Sequence, residues 1–111
     1  MTDEVYSDIL KLVKQNLRIV FNDEDDILKT MIQSADRTVR HAVGTQESFF
    51  VDNPSYVLAI LKLTANDYLN RSATTDVNLY KTPTGYNDLI LEMKADYMVW
   101  EQNNGTITEV R

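Results

Sequence analysis

The stretch from residue 17 to residue 44 constrains the fold most, because it carries every signal of one amphipathic helix. Asn22 or Asp23 can cap its first turn, and residues 23–26 place four carboxylates at the positive end of the helix dipole. Gly44 supplies a left-handed stop after the last turn. Between these signals, apolar residues recur at helical spacing: Ile27, Leu28, Met31, Ile32, Ala35, Val39 and Ala42. This stretch predicts a long helix with one buried side.

Three further segments have helical periodicity. The first runs from residue 3 to about residue 16, with Thr2 or Asp3 as its cap. Asn53 caps a helix over residues 54–69, whose first position holds a proline at no hydrogen-bonding cost. That helix is apolar on nearly every side, which is typical of the central helix of a bundle or of a helix shared with a neighbouring subunit. A last helix is predicted over residues 86–100.

Leu58 and Leu61 are therefore predicted to be buried in the central helix. The short link over residues 19–21 is also predicted to be buried. Residues 45–52 form either a short edge strand or a loop whose Phe49 and Phe50 plug the bundle.

The remaining segments set the architecture. Residues 70–85 are polar and longer than an ordinary connection. The alternation at the end of the chain predicts an extended arm that can add as a strand to a partner. We therefore predict an all-α fold, a small helical bundle of about four helices. It has a long loop before the last helix, a helical domain over residues 1–101 and a C-terminal arm over residues 102–111.

Composition narrows the function classes. With 111 residues the chain forms one domain, and its formal charge of −6 argues against a nucleic-acid-binding surface. The charge fits either simple solubility or a repulsive lining for DNA that passes through. The chain has no cysteine, which suits a reducing cytoplasm, and its longest apolar run is too short to span a membrane. Four tyrosines that could stack on bases fall instead on apolar helix faces: Tyr6, Tyr56, Tyr68 and Tyr97.

No pattern predicts catalysis, a cofactor or a metal. The acidic run at 23–26 lacks the alternating spacing and the glycine of a calcium loop. His41 is a single histidine near a helix end, where it complements the dipole. Ser48 and Ser55 have no signature of an activated nucleophile, and three glycines cannot build a phosphate loop. The sequence therefore predicts no enzyme.

In order and spacing, several segments resemble the head–tail connector (adaptor, or head-completion) family of long-tailed bacteriophages. The resemblance covers about residues 5 to 95. The long loop before the last helix and the alternating tail depart from the family pattern. The matching elements are Leu17-Arg18-Ile19, the acidic start at 23–28, the helix at 32–39, the Pro-started helix at 54–69, Tyr68-Leu69-Asn70-Arg71 and the segment 86–91.

The resemblance implies a structural virion protein that is made in the bacterial host cytoplasm and carried in the head–tail joint. It implies a ring of about a dozen copies beneath the portal ring. There it would extend the DNA channel, without binding DNA specifically, and provide the docking platform for the next head-completion or tail protein. Two alternatives remain open. A tail-completion or tail-terminator protein would also form a ring, on the other side of the joint. A small helical DNA-binding regulator would need a polar, basic recognition helix, whereas the central helix here is apolar.

Residues 73–85 and 102–111 lie outside every helical stripe, so they are free to reach a neighbour or the portal. The residues we predict to make these contacts are Asp76, Leu79, Tyr80, Lys81, Ile107, Val110 and Arg111.

Overall fold

A computed structural model of the chain describes residues 2–70 and 83–103. Five helices account for most of these residues, and no strand occurs among them. The helices are α1 (Asp3–Leu17), α2 (Asp25–Val43), α3 (Glu47–Phe50), α4 (Pro54–Asn70) and α5 (Tyr86–Asn103). The prediction of an all-α bundle is confirmed. None of the described helices is long and apolar enough to cross a membrane.

Two helices begin as the sequence predicts. The Thr2 hydroxyl accepts a hydrogen bond from the Val5 amide at 3.2 Å and caps α1. The Asn53 side-chain oxygen accepts from the amides of Ser55 and Tyr56 at 3.1 and 3.2 Å, directly before α4. Both contacts satisfy backbone N–H groups that have no partner inside the helix.

The start of α2 differs from the prediction of a cap at Asn22 or Asp23. Glu24 occupies the cap position and makes no capping hydrogen bond with its side chain. The Asn22 side-chain oxygen instead accepts from the Lys14 ammonium at 2.7 Å, and Lys14 also forms a 2.7 Å ion pair with Asp25. The Lys14 cation on α1 therefore engages Asn22, one of the two predicted caps.

The stop after α2 is also not the predicted left-handed one. Gly44 has an extended backbone, with φ 164° and ψ 173°. A Cβ at this position would lie 2.6 Å from Cε1 of Tyr97 and closer still to two other ring atoms. Glycine is required here because of this close approach and not because of a positive φ.

The core lies between α2 and α4, which run antiparallel. The Tyr56 hydroxyl near the start of α4 donates to Asp36, and the Tyr68 hydroxyl near its end donates to Glu24 at 2.6 Å. Helices α1 and α5 each pack against both α2 and α4, without substantial contact with one another. They therefore occupy opposite sides of the α2–α4 pair. The buried apolar side chains are Ile9, Val13, Leu28, Ile32, Ala35, Val39, Val43, Phe49, Phe50, Tyr56, Ala59, Ile60, Tyr86, Met93 and Tyr97.

Burial corrects two further predictions. The link after α1 is only partly buried: Ile19 packs against the core, whereas Val20 and Phe21 are 80% and 68% exposed. The buried face of α4 carries Ala59 and Ile60, whereas Leu58 is 44% exposed, so its predicted burial was wrong. A helix with apolar residues on both faces does not reveal from its sequence which face turns inward.

The aromatic plug is confirmed, but it lies on a short helix and not on an edge strand. Phe49 and Phe50 of α3 are buried. The Phe49 ring packs edge-on against Tyr97 and Trp100 of α5, with centroids 5.0 and 5.7 Å apart. These contacts close the end of the bundle where α2 ends and α4 begins.

Candidate assembly surfaces

All the contact residues predicted from the sequence lie outside the described residues. They are Asp76, Leu79, Tyr80, Lys81, Ile107, Val110 and Arg111. Helix α5 continues to Asn103, so the first two residues of the predicted arm are helical.

The helical body holds one dense polar cluster, centred on Arg40. Its guanidinium donates to Asp36 at 2.6 Å, to Glu47 at 2.8 Å and to the Tyr56 hydroxyl at 3.2 Å. It also lies over the Phe50 ring, 4.7 Å from the ring centroid. Arg40 thereby joins α2 to α3 and α4.

The pKa values of Arg40 and Tyr56 indicate that this cluster stabilises the fold. Burial opposes the charged guanidinium, but the hydrogen bonds to Asp36, Tyr56 and Glu47 raise the pKa of Arg40 above its ordinary value. Burial, and then the hydrogen bond to Asp36, raises the pKa of Tyr56. At neutral pH the arginine is therefore charged and the tyrosine neutral, and neither is poised to transfer a proton.

No group of three or more His, Cys, Asp or Glu side chains within residues 2–70 and 83–103 could hold a metal ion. His41 is exposed near the end of α2. In the acidic run that precedes α2, Asp25 pairs with Lys14 and Glu24 accepts from Tyr68. These carboxylates tie α2 to its neighbours.

A groove of about 510 Å³ lies along α1, beside the link that follows it and the first turns of α2, and we call it the basic groove. Its cations are Lys11, Lys14, Arg18 and Lys29. Its apolar floor is formed by Leu10, Ile19 and Val20, and Ser7 and Gln15 complete the lining. Four of the eleven basic residues of an acidic chain therefore line one groove, and no carboxylate lines it within the described residues.

The sequence indicated only part of this groove. Lys11, Lys14 and Arg18 follow at helical spacing on the polar side of α1, which is the ordinary pattern of a solvated face. Lys29 joins them because α2 packs beside α1, and Val20 joins them because the link after α1 turns outward. Both contributions come from tertiary structure.

The outward side of α5 carries a second surface, which we call the acidic stripe. Leu91, Ala95 and Met98 are exposed along one line of the helix at spacings of four and three. An acidic border flanks this line, formed by Asp88, Glu92 and Asp96. All six side chains are exposed, with Leu91 at 65% and Met98 at 63%.

A third surface is the outward face of α4. Leu58, Leu61, Ala65 and Leu69 line a groove of about 390 Å³ that also touches the end of α1 and the segment before α5. Lys62 and Thr84 also line this groove, and the Lys62 ammonium donates to the Thr84 carbonyl at 3.0 Å.

The model of the family described as Phage gp6-like head-tail connector protein matches residues 7–94, from α1 into α5. No curated protein and no solved structure matches the chain significantly.

Proposed function

Because this chain belongs to the Phage gp6-like head-tail connector family, whose members are structural proteins of the phage virion, we propose that it forms a ring beneath the portal ring at the capsid vertex. In that position the ring extends the DNA channel out of the head and offers its far side to the next head-completion or tail protein. The observation that carries this proposal is the family match, which covers residues 7–94, from α1 into α5.

Exposed apolar surface supports an assembled state. Large hydrophobic side chains remain in water on the link after α1 and on α4 and α5, including Phe21 at 68%, Leu69 at 70% and Leu91 at 65% exposure. A single exposed leucine is ordinary, but exposed apolar residues aligned along two helix faces are typical of surfaces that are covered in an assembly.

The net charge supports a channel through which DNA slides. A formal charge of −6 per copy, multiplied around a ring, repels the phosphate backbone. A basic wall would instead hold DNA by counterion release and slow its passage. On this proposal the surface that faces the channel is acidic, and the basic groove faces away from the DNA.

The test is reconstitution on heads that carry portal but lack this protein. Purified protein should add to the portal vertex as a ring, which cryo-electron microscopy of the vertex would show directly. Alone in solution it should associate weakly and in a concentration-dependent way, because copies that each carry a formal charge of −6 repel one another until the portal offers a template.

The same reconstitution, together with binding to purified tails and to duplex DNA, addresses the alternatives. A tail-completion protein would leave the heads bare and add to the end of purified tails. A DNA-binding regulator would bind duplex DNA with sequence preference in a fluorescence anisotropy titration, and the connector should show no such preference. Either result would overturn the proposed position in the joint.

A further inference from the structure

We propose that neighbouring copies in the ring join through the basic groove of one copy and the acidic stripe of the next. This inference rests on the proposed function, since it identifies the surfaces that would make the ring. The occupant of the basic groove is thus helix α5 of a second copy.

The basic groove has unused charge. Lys11, Arg18 and Lys29 form no ion pair with any other described residue, and only Lys14 is engaged, with Asn22 and Asp25. The apolar floor is open as well, because Val20 is 80% exposed. A ligand for this groove would combine negative charge with an apolar strip.

The acidic stripe has that chemistry. Leu91, Ala95 and Met98 form an apolar line of the spacing by which helices bind grooves. Glu92 and Asp96 border this line and form no ion pair with another described residue. Helix α5 contains four acidic residues and one basic residue, Lys94, so it carries a local excess of negative charge.

The placement of the two surfaces suits a ring. Helices α1 and α5 lie on opposite sides of the α2–α4 pair, so one copy can use both surfaces at once, with a different neighbour on each side. Such a head-to-tail contact generates a closed ring when its rotation closes. A contact of one surface with its own equivalent would produce only pairs.

Electrostatics also select this pairing. Each copy carries a formal charge of −6, so two copies repel in most relative orientations. The basic groove is the part of the helical body where four cations gather without a lining carboxylate. Placing the acidic stripe there turns repulsion into attraction and fixes the orientation of the two copies. The outward groove of α4 lacks such charge complementarity, since Lys62 is its one charged lining residue among those described.

The absence of cysteine from the chain allows a direct test by disulfide trapping. Gln15 lies in the basic groove and Ala95 in the acidic stripe, and both are exposed. Under mild oxidation the Gln15→Cys/Ala95→Cys double variant should give a ladder of dimers, trimers and larger species on non-reducing gels. Each single variant should stay monomeric. As a matched control, Ala95→Cys combined with Ser34→Cys, on the exposed side of α2, should give no ladder.

The outcomes of disulfide trapping distinguish a head-to-tail contact from a contact between identical surfaces. A ladder from the double variant alone supports the head-to-tail contact. Dimers from either single variant would show that one surface meets its own equivalent and would overturn the proposal. An absent ladder, both in free protein and on portal-bearing heads that carry wild-type-like rings, would also overturn it while leaving the proposed function intact.

Charge reversal supplies an independent arm. Lys11→Glu/Lys29→Glu in the basic groove and Glu92→Lys/Asp96→Lys in the acidic stripe should each reduce ring formation on portal-bearing heads by about tenfold or more. The four changes combined in one chain should restore it to within about threefold of wild type, because attraction is re-formed with opposite signs. Arg37→Glu, on the exposed side of α2, should leave ring formation unchanged.

This arm separates the possible failures. If each charge-reversed variant still forms rings as the wild type does, the assigned contact is wrong, but the connector function is not. If the groove variant fails on portal-bearing heads and reversal of the acidic stripe does not restore ring formation, the groove is occupied by an acidic segment of the portal and the proposal is wrong. If wild-type protein forms neither a ring nor a ladder, both the contact and the connector ring are wrong.

Discussion

The phenol ring of Tyr97 lies where the side chain of any residue larger than glycine at position 44 would project. The hydroxyl of the same tyrosine accepts a hydrogen bond from the Gln46 amide at 3.1 Å. One side chain of α5 thus fixes the point at which α2 ends and the chain turns towards α3, and it requires that the residue at this point has no Cβ.

Gly44→Ala should therefore destabilise the protein by about 1–3 kcal/mol, because the added methyl group overlaps a buried ring. Urea denaturation followed by circular dichroism would measure the change. In a Tyr97→Leu background the same substitution should cost much less, since the overlapping ring is gone. An equal cost in both backgrounds would show that backbone conformation, and not the ring, demands glycine.

Arg40→Ala should lower the free energy of unfolding by about 2–4 kcal/mol, because it leaves Asp36 and Tyr56 without their cationic partner in a partly buried site. Arg37→Ala is the matched control, since Arg37 is exposed one turn earlier on the same helix. It should change stability by no more than about 0.5 kcal/mol. Equal effects of the two substitutions would contradict a structural role for the Arg40 cluster.

The two faces of α4 should respond differently to truncation. Ile60→Ala should cost about 2–5 kcal/mol, because Ile60 is fully buried and the substitution leaves a cavity. Leu58→Ala should cost less than about 1 kcal/mol in the isolated protein, since 44% of Leu58 is already exposed. Thermal denaturation of both variants would test the assignment of the inward face, and a reversed order would refute it.

Stability should fall in alkali. Burial raises the pKa of Tyr6, Tyr56 and Tyr86 above the ordinary value of 10.0. Above that pH the unfolded chain releases tyrosine protons that the folded chain retains, so the contribution is full below pH 10 and is lost as the pH rises through the folded-state values. Between about pH 9 and about pH 11, Tyr56→Phe should lose less stability than wild type in denaturant titrations. Identical losses would show that Tyr56 does not contribute.

The predicted arm can be tested apart from the helical body. Deleting residues 104–111, which follow the end of α5, should leave the helical signal and the melting temperature nearly unchanged while abolishing attachment to portal-bearing heads. Deleting four residues, 108–111, is a graded control that keeps Ile107 and removes Val110 and Arg111. Normal attachment of the longer truncation would mean that the helical body makes the contact.

Local signals in the sequence were sufficient to predict most of the helices. The Asn53-Pro54 start and the Thr2 cap act within one turn, so they could be recognised without the fold. The cap of α2 could not be predicted, because Lys14 from another helix binds Asn22 and Asp25. Tertiary contacts override local preference wherever two elements compete for one polar group.

The assembly surfaces were harder to predict for the same reason. Sequence reasoning assigned contact to polar segments outside the helices, whereas the basic groove needs Lys29 beside α1 and an outward-turned Val20. The inward side of α5, by contrast, could be predicted from helical spacing. Five residues recur on one side of this helix and lie in or against the core: Leu89, Ile90, Met93, Tyr97 and Trp100.

If the ring forms through the two surfaces that we propose, the opposite placement of α1 and α5 has a genetic consequence. In a head-to-tail ring, a copy with a damaged α5 surface can still join a growing ring through its α1 side, but it offers nothing to the next copy. Every ring that includes it stays open, so the yield of complete rings falls as a power of the number of subunits. A missense allele of this kind would therefore be dominant negative in a mixed infection. An allele that abolishes folding would instead be complemented by the intact copy.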